Sequence, residues 1–355
     1  MLRNLILSGM AISLLNNAFA QDSTKPASSL SVTGSADLYY KYDFGKSKAN
    51  NLTSFTNSHN TFELGMASVK LDYKSTKVEL VADLGFGKRA QEFSYNDAGI
   101  LQAVKQLYIS YSLNNWLKLT AGSWATHVGY ELVDAYANRN YSMSYMFTNG
   151  PFFHTGVKAE ASYGTSGFMV GIANPTDYKY VPDGVLNHKT FLAQYSYAPS
   201  DLFKAYINFV GGQNIDSSKT HQYDLVLTSK LSSKFSLGYN GTLNRTTLYF
   251  GKDKYDEAKS WWGSALYVNF DPSKTFGLTL REEYFNDDKQ LKMFGSQPKG
   301  GSIFASTLSA NIRADNFTFI PEFRLDKASQ TLFTDASAKP VKWSANVLFA
   351  AVYQF

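Results

Sequence analysis

The chain has 355 residues, of which 44% are hydrophobic, a formal net charge of +5 and no cysteine. Without cysteine, disulfides, zinc–thiolate sites and thiol nucleophiles are excluded, and the scattered positive charge argues against nucleic acid as a partner. Past the N-terminal leader no stretch offers the roughly 20 consecutive apolar residues of a spanning helix, whereas 24 Tyr and 26 Phe favour strands.

Residues 1–20 read as a secretion signal: Arg3, an apolar core from Leu5 to Leu15, and Ala18-Phe19-Ala20 ahead of a cleavage site before Gln21. Residues 21–29 form a polar, flexible lead-in. An exported chain without a spanning helix is either a soluble protein or a β-barrel. From Leu30 onward, short turns alternate with longer polar connections. Strands are expected over 30–44, 60–73, 77–87, 100–113, 116–124, 151–163, 166–174, 188–198, 202–212, 219–231, 234–250, 259–270, 274–286, 302–313, 317–327 and from Trp343 to the end, about sixteen in all. Tight turns fall at Lys74-Ser75-Thr76, Asn114-Asn115, Gly164-Thr165, Pro199-Ser200, Ser232-Ser233, Asp271-Pro272-Ser273 and Asp315-Asn316. Short turns on one side, long loops on the other and an even strand number are the layout of an outer-membrane barrel. The fold class expected is therefore all-β: a closed antiparallel transmembrane barrel over 30–355.

The last strand carries that expectation in its own pattern. Phe355, Tyr353, Ala351, Phe349, Val347, Ala345 and Trp343 form one fully apolar face with aromatics at both ends. An exposed edge strand of this kind would invite aggregation, and pairing with the first strand removes the edge. Phe355 is accordingly assigned as the membrane-assembly signal, read by the barrel-assembly machinery.

The same alternation assigns faces elsewhere. Val69, Leu71 and Tyr73 point outward, as do Leu107, Ile109 and Tyr111. Lys70, Asp72, Glu79, Asp83, Lys158, Glu160, Arg281, Glu283, Glu322 and Arg324 then fall inward. A Lys or Arg at the lipid midplane costs about 2–4 kcal/mol, so these charges belong in a wet interior. Lys158, Glu160, Arg281, Glu283, Glu322 and Arg324 are the expected pore-lining residues, and their mixed signs predict weak selectivity. Glu282 falls on the outward face, where a bulge or a rim position would be needed to accommodate it.

Residues 125–149 are too long for a turn and too apolar for a disordered loop. They carry the constriction-loop candidates His127, Tyr130, Glu131, Asp134 and Arg139. This segment either tucks into the barrel to narrow it or packs outside on its neighbours. His127, Glu131 and Asp134 are ligand types, but no second His lies near and no metal is assigned. Ser110, Ser112 and His154 are the residue types of a barrel lipase, but nothing sets them apart from ordinary wall residues. No phosphate loop, dinucleotide fingerprint or His-Glu-x-x-His occurs, so neither a catalytic set nor a cofactor is assigned.

Within Gly129–Ala159 the chain reads Tyr-Glu-Leu-Val-Asp, then Asn-Arg-Asn-Tyr-Ser, then Gly-Pro-Phe-Phe-His-Thr-Gly, in that order. This resembles the beta-barrel porin-2 family of Gram-negative outer-membrane proteins, the OmpL-like porins. The resemblance implies an outer-membrane porin that passes small hydrophilic solutes and ions, is not an enzyme, and contacts outer-membrane lipid and lipopolysaccharide. A homo-oligomer is left open. The rival readings are a structural or adhesive barrel with a closed lumen and, behind it, a lipid-modifying barrel enzyme.

Overall fold

Alternating apolar and polar side chains build nearly every element here. The computed structural model describes residues 28–252 and 254–355; the secretion signal expected over 1–20 and most of the lead-in expected over 21–29 lie outside them. The strands are β1 (Ser29–Asp43), β2 (Thr61–Lys74), β3 (Val78–Phe86), β4 (Val104–Ser112), β5 (Leu117–Ala125), β6 (Phe153–Tyr163), β7 (Ser166–Ala173) and β8 (Thr190–Ser200). They continue as β9 (Phe203–Gln213), β10 (Lys219–Lys230), β11 (Phe235–Thr247), β12 (Lys259–Phe270), β13 (Phe276–Asp287), β14 (Gly301–Ala314), β15 (Phe317–Ala328) and β16 (Trp343–Gln354). Each pairs antiparallel with its neighbour, and β16 pairs back onto β1 to close a sixteen-stranded barrel. The expected strand at 100–113 starts at Val104 instead, because Gly99–Ala103 closes a 3₁₀ turn with Gly99 at φ +59°. A two-residue ladder, Phe333–Thr334 with Pro340–Val341, folds the loop between β15 and β16 on itself.

Closure follows the pattern read in the last strand. Ser35 to Asp43 of β1 run opposite Gln354 to Asn346 of β16, so neither strand keeps an open edge. The chain end completes the seam: Gly34 N donates to Phe355 O at 3.0 Å and Phe355 N to Gly34 O at 2.9 Å. A Cβ on Gly34 would lie 2.6 Å from Cζ of Phe355, so the terminal ring is seated on bare backbone. Deleting Phe355 is therefore expected to reduce the heat-modifiable folded form in outer membranes. Val347→Lys should do so independently, by putting an ammonium on the lipid face at about 2–4 kcal/mol. Unreduced folded yields of both variants on a semi-native gel would contradict this account of closure.

Glu282 needs neither a bulge nor a rim. The β12–β13 and β13–β14 registers are unbroken through it, and it sits on the lipid-facing wall one step below Tyr284. Ser306, directly opposite on β14, donates its hydroxyl to Glu282 Oε2 at 2.6 Å.

The inner face is divided. On β2, β3, β5 and β6 it carries lysines and carboxylates, whereas on β12 to β16 it also carries large apolar residues. Tyr267, Phe285, Ile303, Ile320, Leu348 and Val352 are all buried there. A water-filled lumen would not cover such residues; the loop between β5 and β6 does.

Candidate functional site

The loop over residues 126–152 leaves the extracellular end of β5, descends inside the barrel and returns to β6. Its descending limb is held by side chains of the far wall. Gly129 N donates to Asp224 Oδ1 (3.0 Å) and Tyr130 N to Asn240 Oδ1 (3.4 Å). The Tyr130 ring stacks on Tyr267 at 4.1 Å between centroids, over the missing side chain of Gly238, where a Cβ would meet the tyrosine ring at 2.5 Å. His127 hangs at the root, its Nε2 3.2 Å from Phe209 O and its ring 5.4 Å from that of His154. Asp134 reaches the opposite wall and pairs with Lys105 Nζ at 2.5 Å, which also contacts Asp83 at 3.1 Å.

At the bottom, the Arg139 guanidinium grips Asp271 of the periplasmic turn with two parallel bonds, 2.7 and 3.0 Å. Such a fork fixes orientation as well as charge. The loop therefore spans most of the barrel's depth.

The returning limb lies on β13 and β15, whose charged residues hold its backbone. Glu322 accepts from Tyr141 N (2.8 Å) and Ser142 N (3.2 Å). Arg324 donates to Met143 O at 2.7 Å and pairs with Asp326, which in turn accepts from Tyr145 OH at 2.9 Å. Glu283 accepts from the backbone N–H groups of both Tyr145 and Met146 at 2.9 Å. Those donors open the short helix Tyr145–Asn149, where a carboxylate is the favourable neighbour, and Ser144 caps it through Phe147 N. Arg281 donates to Glu131 Oε1 (2.5 Å) and to Ser142 O (2.7 Å). Glu131 also accepts from Ser144 N at 2.8 Å, so one carboxylate ties the descending limb to the returning limb and to the wall.

This geometry corrects one expectation. Arg281, Glu283, Glu322 and Arg324 do face inward, but none of them is more than 4% exposed. They are sealed under the loop and hold it. A strand pattern specifies which face a side chain occupies, but it cannot say what will cover that face. Of the six residues expected to line the pore, Lys158 and Glu160 meet water.

They belong to a longer array that the sequence reading named only in part. Along the periplasmic half of β2, β3, β5 and β6 runs a ladder of alternating charge. Lys70 lies 3.7 Å from Asp72, and Lys74 lies 3.4 Å from Asp72 and 3.6 Å from Glu79. Lys118 is 4.0 Å from Glu79 and 3.4 Å from Glu160, which is 3.2 Å from Lys158. Four lysines face three carboxylates, an excess of one positive charge. The side chains are partly exposed, so the pairs are loose and screened by salt. Lys70, Asp72 and Glu79 had been placed on the inner face; Lys74 and Lys118 were missed because they flank turns, where alternation is weakest. Leu132 and Tyr136 are loop residues that stay exposed, at 48% and 45%, on the side of the loop that meets the remaining water.

Above the loop a clasp joins three extracellular segments. Asp177 Oδ1 accepts from Phe152 N (2.7 Å) and Phe153 N (3.0 Å), and Tyr95 OH donates to its Oδ2 at 3.1 Å. Lys179 pairs with Asp97 at 2.8 Å. Phe55, Phe93, Phe147, Phe152 and Phe153 pack beneath it. Burial pushes the Asp177 carboxyl up to about 6, against the pull of its hydrogen bonds, and the Asp177 charge pushes the Tyr95 phenol up in turn. An acid whose folded value is raised stabilises the fold most below its unfolded value, about 3.9, and loses that contribution as pH rises through about 6. The clasp is thus expected to protect residues 94–98 and 174–180 from hydrogen exchange better at pH 4.5 than at pH 7. Asp177→Asn should flatten the difference; a difference that persists in the variant would place the titrating group elsewhere.

Ser110 bonds to Thr120 at 2.9 Å, while His154 lies 3.2 Å from Thr126. No hydrogen bond among the described residues joins either Ser110 or Ser112 to His154, and no group of three metal-ligating residues occurs among them.

Comparison with known proteins agrees with this architecture. The OmpT outer-membrane protein of Vibrio cholerae, folded in vitro, superposes with a TM-score of 0.60 at 12% identity, over 95% of this chain and 100% of that one; it has also been solved in a trimer form. The outer-membrane channel DcaP of Acinetobacter baumannii gives 0.60 at 10% identity, over 95% and 100%. An anion-selective porin from Comamonas acidovorans gives 0.59 at 11% identity, over 93% and 100%. No curated protein sequence matches. The profile of the beta-barrel porin-2, OmpL-like family matches residues 29–355, the whole barrel, and the chain belongs to that family of porins.

Proposed function

We propose that this porin passes small hydrophilic solutes and ions by passive diffusion through the outer membrane of a Gram-negative bacterium. The path runs between the inner loop and the charged wall of β2 to β6. The observation that carries this reading is the division of the inner face: one wall is dry under the loop, and the other keeps a hydrated ladder of charge. The loop sets the width of the path, with His127, Tyr130, Glu131, Asp134 and Arg139 fixing its course. Nothing in this reading requires chemistry at the wall, so the protein is proposed to be a channel and not an enzyme. Residues 1–20 are proposed to be removed on export. A homo-oligomer is proposed by analogy with the trimer form of OmpT. Single-channel recording in planar bilayers tests the reading: discrete ohmic steps are expected, and a folded barrel without steps would favour a closed structural barrel.

Within this proposal the lysines of the ladder set a slight preference for anions. Lys118→Glu turns the excess of one positive charge into an excess of one negative charge. The reversal potential across a salt gradient should move toward cations, and more so at low salt, where the Debye length is longer. Arg281→Ser should move it less, because Arg281 lies under the loop. The opposite ranking, with the Arg281 variant folded, would mean that ions pass along the β13 wall.

A further inference from the structure

We propose that the extracellular mouth holds a binding pocket for an uncharged saccharide of one or two rings, set beside the conducting path and not in it. The inference rests on the proposed function only in placing that path along β2 to β6. The pocket, about 430 Å³, lies on the other side of the loop, between its returning limb and the inner face of β8 to β11. Cavities that hold small ligands span about 300–1,000 Å³, and this one is at the lower end. Below Gln222 and Asn244 its floor is closed by the descending limb, where Gly129 and Tyr130 are bonded to Asp224 and Asn240. A solute entering from outside therefore leaves the way it came.

The strand registers gather polar groups into one patch. Gln222 of β10 lies between Asn244 of β11 and Val210 of β9. One row above, Gly212 of β9 lies between Thr220 and Thr190 of β8. Asn244 Nδ2 donates to Gln222 Oε1 at 3.2 Å, which leaves the other half of that amide, Nε2, as a free donor. No hydrogen bond among the described residues takes up Gln222 Nε2 or Thr190 Oγ1, yet neither atom is sealed off. Gln222 is 4% exposed and Thr190 2%, so what these groups reach is the pocket and not bulk water. On the loop side, Asn149 spends its Nδ2 on Tyr145 O (2.8 Å) and keeps its Oδ1 as an acceptor.

This lining selects the class of ligand. An apolar molecule would leave the Gln222 and Thr190 groups unpaired, which is costly in a buried place. Lys292, from the β13–β14 connection, brings an ammonium, but the carboxylates of Asp177 and Asp216 stand in the same lining, so neither an anion nor a cation is favoured. A hydroxyl both donates and accepts, and so matches amides and threonines whichever way they point. A ring sugar presents several hydroxyls and an apolar C–H side, for which Tyr95 and Tyr178 offer aromatic surface at the rim.

Saturation-transfer NMR from the purified barrel in detergent to glucose, galactose, mannose, N-acetylglucosamine, maltose and lactose provides the test. At least one should bind saturably, and glucuronate and galacturonate should bind more weakly than the best neutral sugar. One neutral hydrogen bond contributes about 1 kcal/mol, so Thr190→Val and Gln222→Met should each weaken binding about fivefold. Gly150 has a φ of −89°, open to any residue, and a Cβ there would lie 3.4 Å from Gln222 Nε2, so Gly150→Leu should fill the pocket and abolish binding. Thr228→Val, at the periplasmic end of β10, should leave it unchanged. Heat modifiability and conductance of the Thr190 and Gln222 variants should match the parent and report that they fold. Absence of saturable binding by every sugar overturns the proposal, and leaves the porin reading standing if the parent conducts. Unchanged affinity in all three pocket variants overturns it too, as does tighter binding of either uronic acid. A current block with the same midpoint as binding also overturns it, because the pocket is then part of the path.

Discussion

A barrel in which residues 127–150 are replaced by a short Gly-Ser connection is expected to conduct severalfold more than the parent while its reversal potential stays close to the parent's. The increase follows from volume, since a sixteen-stranded barrel without an inserted segment encloses an open aqueous channel. The steady selectivity follows from two charge changes that cancel. Removal of the loop bares Arg281 and Arg324 together with Glu283, Glu322 and Asp326, two positive charges against three negative, all buried in the parent. That wall bares one net negative charge, while the excised segment takes away Glu131, Asp134 and Arg139, also one net negative charge, so the two changes offset. Excision should also lower thermal stability. Phe285, Ile303, Ile320 and Leu348 become wetted, and exposing apolar surface costs about 25 cal/mol per Å². Solute swelling assays in liposomes should admit larger sugars. If the shortened barrel folds and its conductance matches the parent, the loop does not govern the path.

The second large effect is expected at Glu131. Its carboxylate is 6% exposed and joins Arg281, Tyr267 and both limbs of the loop. Glu131→Ala leaves the Arg281 guanidinium buried without its ion-pair partner, a change that costs about 3–5 kcal/mol. The fold of the wall does not depend on the loop's register, so the expected result is a barrel that still forms but melts earlier and shows strong open-channel noise as the loop wanders. Removing both partners, Glu131→Ala with Arg281→Met, should recover much of the loss, because the unpaired guanidinium is then gone. Semi-native melting and bilayer recording on the two single variants and the double variant complete the cycle. A Glu131→Ala barrel as stable and as quiet as the parent would show that this pair does not anchor the loop, and a double variant no better than the single would assign the loss to packing.

The sequence was most informative where one local rule acts alone. Side chains must alternate on a strand, lipid does not tolerate unpaired backbone, and turns need particular residues. From these, the apolar face from Trp343 to Phe355, the turns at Asn114-Asn115 and Asp315-Asn316, and the inward placement of Lys158, Glu160, Arg281 and Arg324 could all be read. So could the closed all-β barrel and its strand number. The inner loop was legible as unusual, through its length and apolar content, but not as internal.

The reason is that burial inside a barrel is a property of two surfaces that are far apart in sequence. Arg281 looks the same on its strand whether water or Ser142 lies opposite. Only the packed structure brings Glu131 to Arg281, Arg139 to Asp271 and the Tyr145 backbone to Glu283. One trace of the loop's position was present in the chain: the inward face of the last strands carries Leu348, Ala350 and Val352, which a wet wall would not select, and Gly238 is bare where Tyr130 lies. Alternation by itself determined which residues face in. The tertiary structure decided which of them meet water, because a long loop covers whichever wall offers it both apolar contact and partners for its backbone.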